Sequence, residues 1–202
     1  MTPNALFLAS QPGLDFLNTR FAQLPEGTPV EVIGDGAAFL GWLVEANLLE
    51  RGVAAKLKHR FDSEELDAAA AEARKLRHWA GEWLARWRER PDADFAAELR
   101  RLNGLLERAS VYRSIAARSG KLELAEHARI EAPSDLLALA AWQVAKVVLE
   151  ESPELVKRCA GSGCVLWFVD RTKAHRRVFC SARACGNRAK VAAFRERQRE
   201  PR

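Results

Sequence analysis

No run of about 18 consecutive apolar residues occurs in this chain of 202 residues, which excludes a membrane-spanning helix of ordinary length. The signatures of several common catalytic machines are absent too. There is no glycine-rich phosphate loop, no H-E-x-x-H and no G-x-S-x-G. Histidine is scarce, and His59, His78 and His127 are scattered along the chain, each expected on a solvated face of a helix or loop. The Asp and Glu residues are spread through helical segments as ordinary surface charge. The chain is therefore expected not to be an enzyme. The opening segment MTPNALFLASQPGLDF has neither the basic start nor the long apolar centre of an export signal, so its thiols are expected to be reduced and the protein cytoplasmic. Cysteine is missing from most of the chain: 175 of the 202 residues contain none.

All four cysteines fall in the remaining 27 residues, as Cys159, Cys164, Cys180 and Cys185. Their spacing is C-x4-C-x15-C-x4-C, two equal pairs joined by a loop. Each pair can fold its sulfurs back on one point, an arrangement suited to a tetrahedral metal, and Zn2+ takes four thiolates in closed structural sites of this kind. One structural Zn2+ is the expected occupant. Iron–sulfur or another metal, and two disulfides, are the competing readings; a redox pair would more usually be spaced C-x-x-C. A closed four-thiolate site has no open position for catalysis. His175 lies between the pairs and is expected to be solvated rather than a ligand.

Charge is as unevenly placed as cysteine. The net charge is +5, but residues 157–202 hold 13 Lys and Arg against three acids, whereas the preceding residues hold 19 against 24. A near-neutral to acidic body with a strongly basic end points to a polyanion as partner. Arg176, Arg177, Lys190, Arg195 and Arg197 are the candidates for phosphate contacts. Arg188 has two readings, contact with nucleic acid or an ion pair with Asp170 that locks the module, and the pair is favoured.

The rest of the chain reads as mainly helical. Leu14-Asp15-Phe16-Leu17-Asn18-Thr19 is a short apolar segment, followed by a loop at residues 25–29. Asp35 is placed to cap a helix to about Asn47, with Phe39, Leu40, Leu43 and Val44 inward. Asp62-x-x-Glu65 resembles a capping box opening a helix to about Arg90, in which Leu76, Trp79, Trp83 and Trp87 share a face and are expected to be core. A third helix spans about Asp92 to Ala109, with Phe95, Leu99, Leu102, Leu105 and Leu106 inward. Val111–Ala117 and Lys121–Ile130 flank Ser119-Gly120 as a β-hairpin with Tyr112, Ile115, Leu122 and Leu124 on its apolar side. Pro133-Ser134 opens a long helix to about Glu151, and Ser152-Pro153 breaks it. In the cysteine module, Val165–Val169 and Arg176–Phe179 suggest two short strands joined through residues 170–175. Asn187 is expected to cap the basic helix that follows. The fold class is thus α+β: a mainly α domain with a small β-hairpin over residues 1–153, then a zinc-ribbon-like finger ending in a basic helix over residues 154–202.

Phe168-Val169-Asp170-Arg171-Thr172, Arg176-Arg177-Val178-Phe179-Cys180-Ser181 and Cys185-Gly186-Asn187-Arg188-Ala189-Lys190 resemble the CGNR zinc-finger family. Leu14 to Thr19, and the Leu102-Asn103 pair, resemble its usual partner, the ABATE domain. The resemblance covers essentially the whole chain. Two positions depart from it: Phe179 stands where tryptophan is usual, and Phe194 where histidine or tyrosine is more common. It implies a stress-induced bacterial transcriptional regulator whose finger binds DNA and whose N-terminal domain senses a small-molecule effector or dimerises. Other classes stay open: an RNA-binding zinc module, a zinc-stabilised protein-interaction module, or an enzyme whose site lies in the helical domain. A single finger has a small footprint, which favours a homodimer on duplex DNA. No membrane partner is expected.

Overall fold

The computed structural model describes residues 7, 9–23, 27–118 and 120–199. Residues 25 and 26 of the anticipated loop, residue 119 of the anticipated turn and residues 200–202 of the basic end lie outside these, as does the side chain of Arg199. The described order is α1 (Pro12–Leu17), β1 (Arg20–Gln23), β2 (Thr28–Glu31), α2 (Gly36–Glu45), α3 (Arg51–Arg60), α4 (Ser63–Glu89), α5 (Ala96–Leu106), β3 (Ser110–Arg118), β4 (Lys121–Arg129), α6 (Leu136–Glu150), β5 (Val156–Arg158), β6 (Trp167–Val169) and α7 (Asn187–Arg199). The strands form three separate antiparallel pairs, β1 with β2, β3 with β4 and β5 with β6. This is the α+β class anticipated, mainly helical, with the cysteine cluster and a last helix at the C-terminal end.

Local chemistry sets the main helices. Asp35 caps α2 by accepting from Ala38 N at 2.7 Å. Asp62 and Glu65 close a reciprocal capping box on α4, with Glu65 N donating to Asp62 at 2.8 Å and Asp62 N to Glu65 at 3.1 Å. Helix α4, 27 residues long, is the spine on which α1, α2 and α6 pack. Leu76, Trp83 and Trp87 are buried along it, as their spacing requires. Trp79 is half-buried, stacked on Trp83 with 5.4 Å between ring centroids and covered by the Arg101 guanidinium at 4.6 Å. The stripe is core, not a ligand cage.

Helix α1 sits against α6 at a distance only glycine permits: a Cβ on Gly13 would lie 2.2 Å from the Gln143 carbonyl oxygen. The Leu14–Thr19 segment then divides its work. Leu14, Phe16 and Leu17 enter the core. Thr19 Oγ1 donates to the Phe16 carbonyl at 2.7 Å and accepts from Arg77 at 2.8 Å. Arg77, buried on α4, also grips Glu31 of β2 through two bonds of 2.7 and 2.5 Å. Asn18 reaches across 149 residues: its amide donates to the Trp167 carbonyl at 2.9 Å and accepts from Trp167 N at 2.8 Å, both buried. Val156, Trp167 and Val169 belong to the same apolar cluster as α1, α4 and α6. The chain punctuation at Ser152-Pro153 is therefore not a packing boundary.

Several expectations are corrected. Helix α3 was not foreseen; it buries only Ala54 and Leu57 and contains Gly52, too few apolar positions to give a readable stripe. Helix α5 is shorter than anticipated and leaves Leu99 exposed, because Leu102 is its one fully buried side chain. The hairpin has the expected turn, with Gly120 at φ +77°, but alternation puts Tyr112 on the face opposite Ile115, Leu122 and Leu124. His127 is half-buried there, bonded to Ser114 Oγ at 2.7 Å and stacked on Tyr112, while His59 and His78 are exposed as expected. In the finger, β6 pairs with β5 rather than with residues 176–179. The reason is Asp170, whose carboxylate takes the N–H of Arg177 at 2.8 Å, a donor that a hairpin would have used.

Replacing Asn18 by Ala leaves a buried N–H and a buried carbonyl of Trp167 without partners and should cost about 2–4 kcal/mol. Urea unfolding of zinc-loaded protein checks this; a loss under about 0.5 kcal/mol, the range of an ordinary surface change, would show the clasp to be dispensable.

Candidate metal centre

The finger brings Cys159, at the end of β5, together with Cys164, Cys180 and Cys185. The four sulfurs all lie within 4.8 Å of one another, and no two are bonded. The Cys164–Cys180 and Cys180–Cys185 separations are 3.8 and 3.6 Å. A tetrahedron with Zn–S bonds of about 2.3 Å has edges of about 3.8 Å, so the donor set fits one zinc ion. His175 is exposed and turned to the Asp170 carbonyl at 3.4 Å, outside the ligand set.

Backbone donors surround Cys159: Gly161 N lies 3.4 Å and Cys180 N 3.3 Å from its sulfur. Gly161 packs closely here, since a Cβ there would lie 3.2 Å from the Cys185 sulfur, tighter than an ordinary contact. Burial opposes ionisation of Cys159, yet the N–H groups of Cys180 and Gly161, with the neighbouring thiols, outweigh it and lower its pKa. Burial raises the Cys164 thiol to about 11, the negative charges of Cys159 and Cys185 contributing. Burial likewise raises Cys180, with its thiol neighbours adding to the effect. Without a cation the cluster resists holding several thiolates together; a divalent ion removes that repulsion.

Asp170, fully buried beside the cluster, organises the loop between the cysteine pairs. Burial alone would raise its carboxyl, but the Lys157 ammonium at 2.7 Å, the Thr172 hydroxyl and N–H, and the Arg177 N–H hold it far below the usual carboxylate range. Lys157 also donates to the His175 carbonyl at 2.7 Å. Arg177 stretches over the Phe168 ring at 4.3 Å and donates to the carbonyls of Phe179, at 2.9 Å, and Cys180. The anticipated Arg188–Asp170 pair is not formed, because Lys157 already occupies that carboxylate. Arg188 instead lies 3.4 Å from both the Cys185 sulfur and the Ser162 carbonyl. Both contacts are long, yet they aim its charge at a ligand sulfur. Asn187 is not a cap either. Ser181 accepts from Ala184 N at 3.2 Å and opens a wide π-type turn, Ala182–Gly186, that runs straight into α7.

The sequence-predicted cations thus separate into two sets. Arg177 and Arg188 turn inward onto the metal module. Arg176, Lys190, Arg195 and Arg197 are exposed with no polar partner among the described residues. Sequence reasoning missed Lys157, which looked like any solvated lysine; its place two residues before the first ligand, facing Asp170 across β5–β6, was the available signal. It missed Asn18 as well, since nothing local marks an asparagine as the partner of residue 167. A groove of about 960 Å³ lies between α4, the β1–β2 ribbon and the finger, with Arg20, Lys75 and Arg158 around an apolar floor that includes Phe21 and Trp167.

Residues 156–198 match the family model described as CGNR zinc finger. Residues 10–151 match that of ABATE, described as "Putative stress-induced transcription regulator". No curated protein matches the chain.

Metal and protons compete for the same sulfurs, and the raised thiols keep their protons when the ion is absent, so zinc affinity must fall as pH falls. With Cys164 at about 11 and Cys180 also raised, at least two protons leave per zinc bound near neutral pH. Chelator competition between about pH 6.5 and 8 should give a slope of about two or more in log affinity against pH, with one zinc per chain. A flat profile, or full zinc retention after Cys180→Ser, would contradict the four-thiolate site.

Proposed function

Because the chain belongs to the ABATE family and carries a CGNR zinc finger at its C-terminal end, we propose that it is a transcriptional regulator that binds duplex DNA through that finger. The observation that carries this reading is the division of the finger's cations. Arg177 and Arg188 serve the framework, while Arg176, Lys190, Arg195 and Arg197 stand exposed on the loop and on α7. Helix α7 has no buried side chain described and packs chiefly on the turn before it, so a basic rod is held out from the body by its N-terminal end. Exposed cations of this kind make phosphate contacts that position a protein on nucleic acid. The metal's role is structural, its four thiolates leaving no open position, and the protein is non-catalytic. Among the described residues no helix is long and apolar enough to cross a membrane. Thiolate ligation by zinc fits a reducing compartment, the cytoplasm.

The N-terminal domain supplies sensing and dimerisation. The groove between α4, β1–β2 and the finger supports an effector reading, because it joins cations to an aromatic floor and takes one wall from each side. Its chemistry suits a small amphipathic anion. Screening carboxylates and phosphates by thermal shift should find one whose stabilisation is lost in Arg20→Glu with Lys75→Glu; a ligand unaffected by that double change binds elsewhere, and no hit at all would sink the groove as an anion site.

Fluorescence anisotropy against random duplex DNA and matched RNA, over a salt series, tests the main reading. Duplex binding should weaken steeply with salt, and neutralising each phosphate-contacting cation among Arg176, Lys190, Arg195 and Arg197 should lower the log–log slope by about 0.9. Arg177→Ala should instead loosen zinc and the fold. Salt-dependent binding to both acids without preference for the duplex would favour the RNA reading, and no binding at low salt would mean that the basic face meets protein.

A further inference from the structure

The hairpin β3–β4 presents an apolar face whose large side chains stand exposed among the described residues. Its register pairs Ile115 with Leu124 and Ala117 with Leu122, and places Val111 on the same side. Val111 is 60% exposed, Ile115 74%, Leu122 79% and Leu124 66%. Four large aliphatic side chains on one side of one ribbon form a patch of roughly several hundred Å², the size at which exposed apolar surface often marks an interaction site. The opposite face is the one turned to the body: His127 is half-buried there, with Nδ1 3.3 Å from Glu50 at the start of α3. That contact fixes which face looks outward.

We propose that this face is the dimer interface and that its partner is a second copy of this chain. The inference rests on the dimerisation reading above and gives it a surface. Two observations select a second copy over other partners. The charged side chains on this face are Arg113 and Glu126, which stand opposite each other on one rung and pair at 2.9 Å. The patch is therefore neutral, unsuited to a polyanion, and carries one charge of each sign. A twofold axis through the rung sets Arg113 of each copy beside Glu126 of the other, as a self-complementary contact requires. Size is the second. Strands of nine residues make a ribbon about 30 Å long, and two such ribbons packed face to face bury roughly 600 Å² per copy, near the lower bound for a specific complex. Among the described residues β3 and β4 also pair with no other strand, which leaves their outer edges for pairing.

Multi-angle light scattering on zinc-loaded full chain, from about 1 to 100 µM, reads the mass directly by mass action. Wild type should approach twice 22.5 kDa at the upper concentrations. Ile115→Glu with Leu122→Glu should return the mass to the monomer value with zinc content and circular dichroism unchanged, since both side chains are already exposed. Arg113→Glu should weaken the dimer at least tenfold, and adding Glu126→Arg should restore it, a rescue that a folding defect would not give. A dimer that survives all these changes overturns this face while leaving dimerisation standing. A wild-type monomer throughout overturns both.

Discussion

The Asn18 side chain bonded to both backbone groups of Trp167 is the contact on which the arrangement of the molecule turns. It imitates one rung of a β-ladder with a side chain, and it does so in a dry interior where an unpaired peptide group is costly. Fixing Trp167 sets β6. The next residues then alternate between two interiors, Phe168 into the finger's own cluster and Val169 into the main core. Asp170 follows, and its carboxylate gathers Lys157, Thr172 and Arg177. Arg177 in turn ties the carbonyls leading to Cys180. Polar contacts, buried at Asn18 and part-buried around Asp170 and Arg177, therefore link the end of the first helix to a metal ligand through the short stretch of chain from Trp167 to Asp170. The groove shares a wall with it at Trp167, so an occupant there would press on the element that fixes the finger.

Much of this was readable from residue types and spacing, for identifiable reasons. Caps at Asp35 and Asp62, the tryptophan stripe of α4 and the turn at Gly120 are local signals with local outcomes. The four cysteines were legible because few other arrangements use thiols at that spacing. What stayed hidden depends on partners far apart in the chain. The pairing of β6 with β5, the engagement of Lys157 with Asp170 and the bond from Asn18 to Trp167 are decided by tertiary contact. Arg188 shows the limit well: its type and position suited a carboxylate, but a lysine on the neighbouring strand reached that carboxylate first. The hairpin is a milder case, where the elements were clear and only the parity of Tyr112 was misjudged.

The basic character of the C-terminal segment is also less uniform than its composition suggests. Lys157, Arg177 and Arg188 are turned onto a buried carboxylate, backbone carbonyls and a ligand sulfur, so their charge is spent inside the finger. Arg176, Lys190, Arg195 and Arg197 lie in water and contribute little to stability. Charge that builds the finger and charge that can meet a partner are thus different residues, and substitutions in the two sets separate stability from binding.

The clasp also dictates an order of events during synthesis. Helix α1 leaves the ribosome well before the α6 and β6 on which it packs, and Asn18 waits for residue 167. Its apolar residues Leu14, Phe16 and Leu17 therefore have no permanent home until most of the chain has been translated. Contacts this distant in sequence form slowly, and in the interval the exposed segment is open to chaperones and to aggregation. A chain halted before the finger would lack not just a metal site but one wall of its own core.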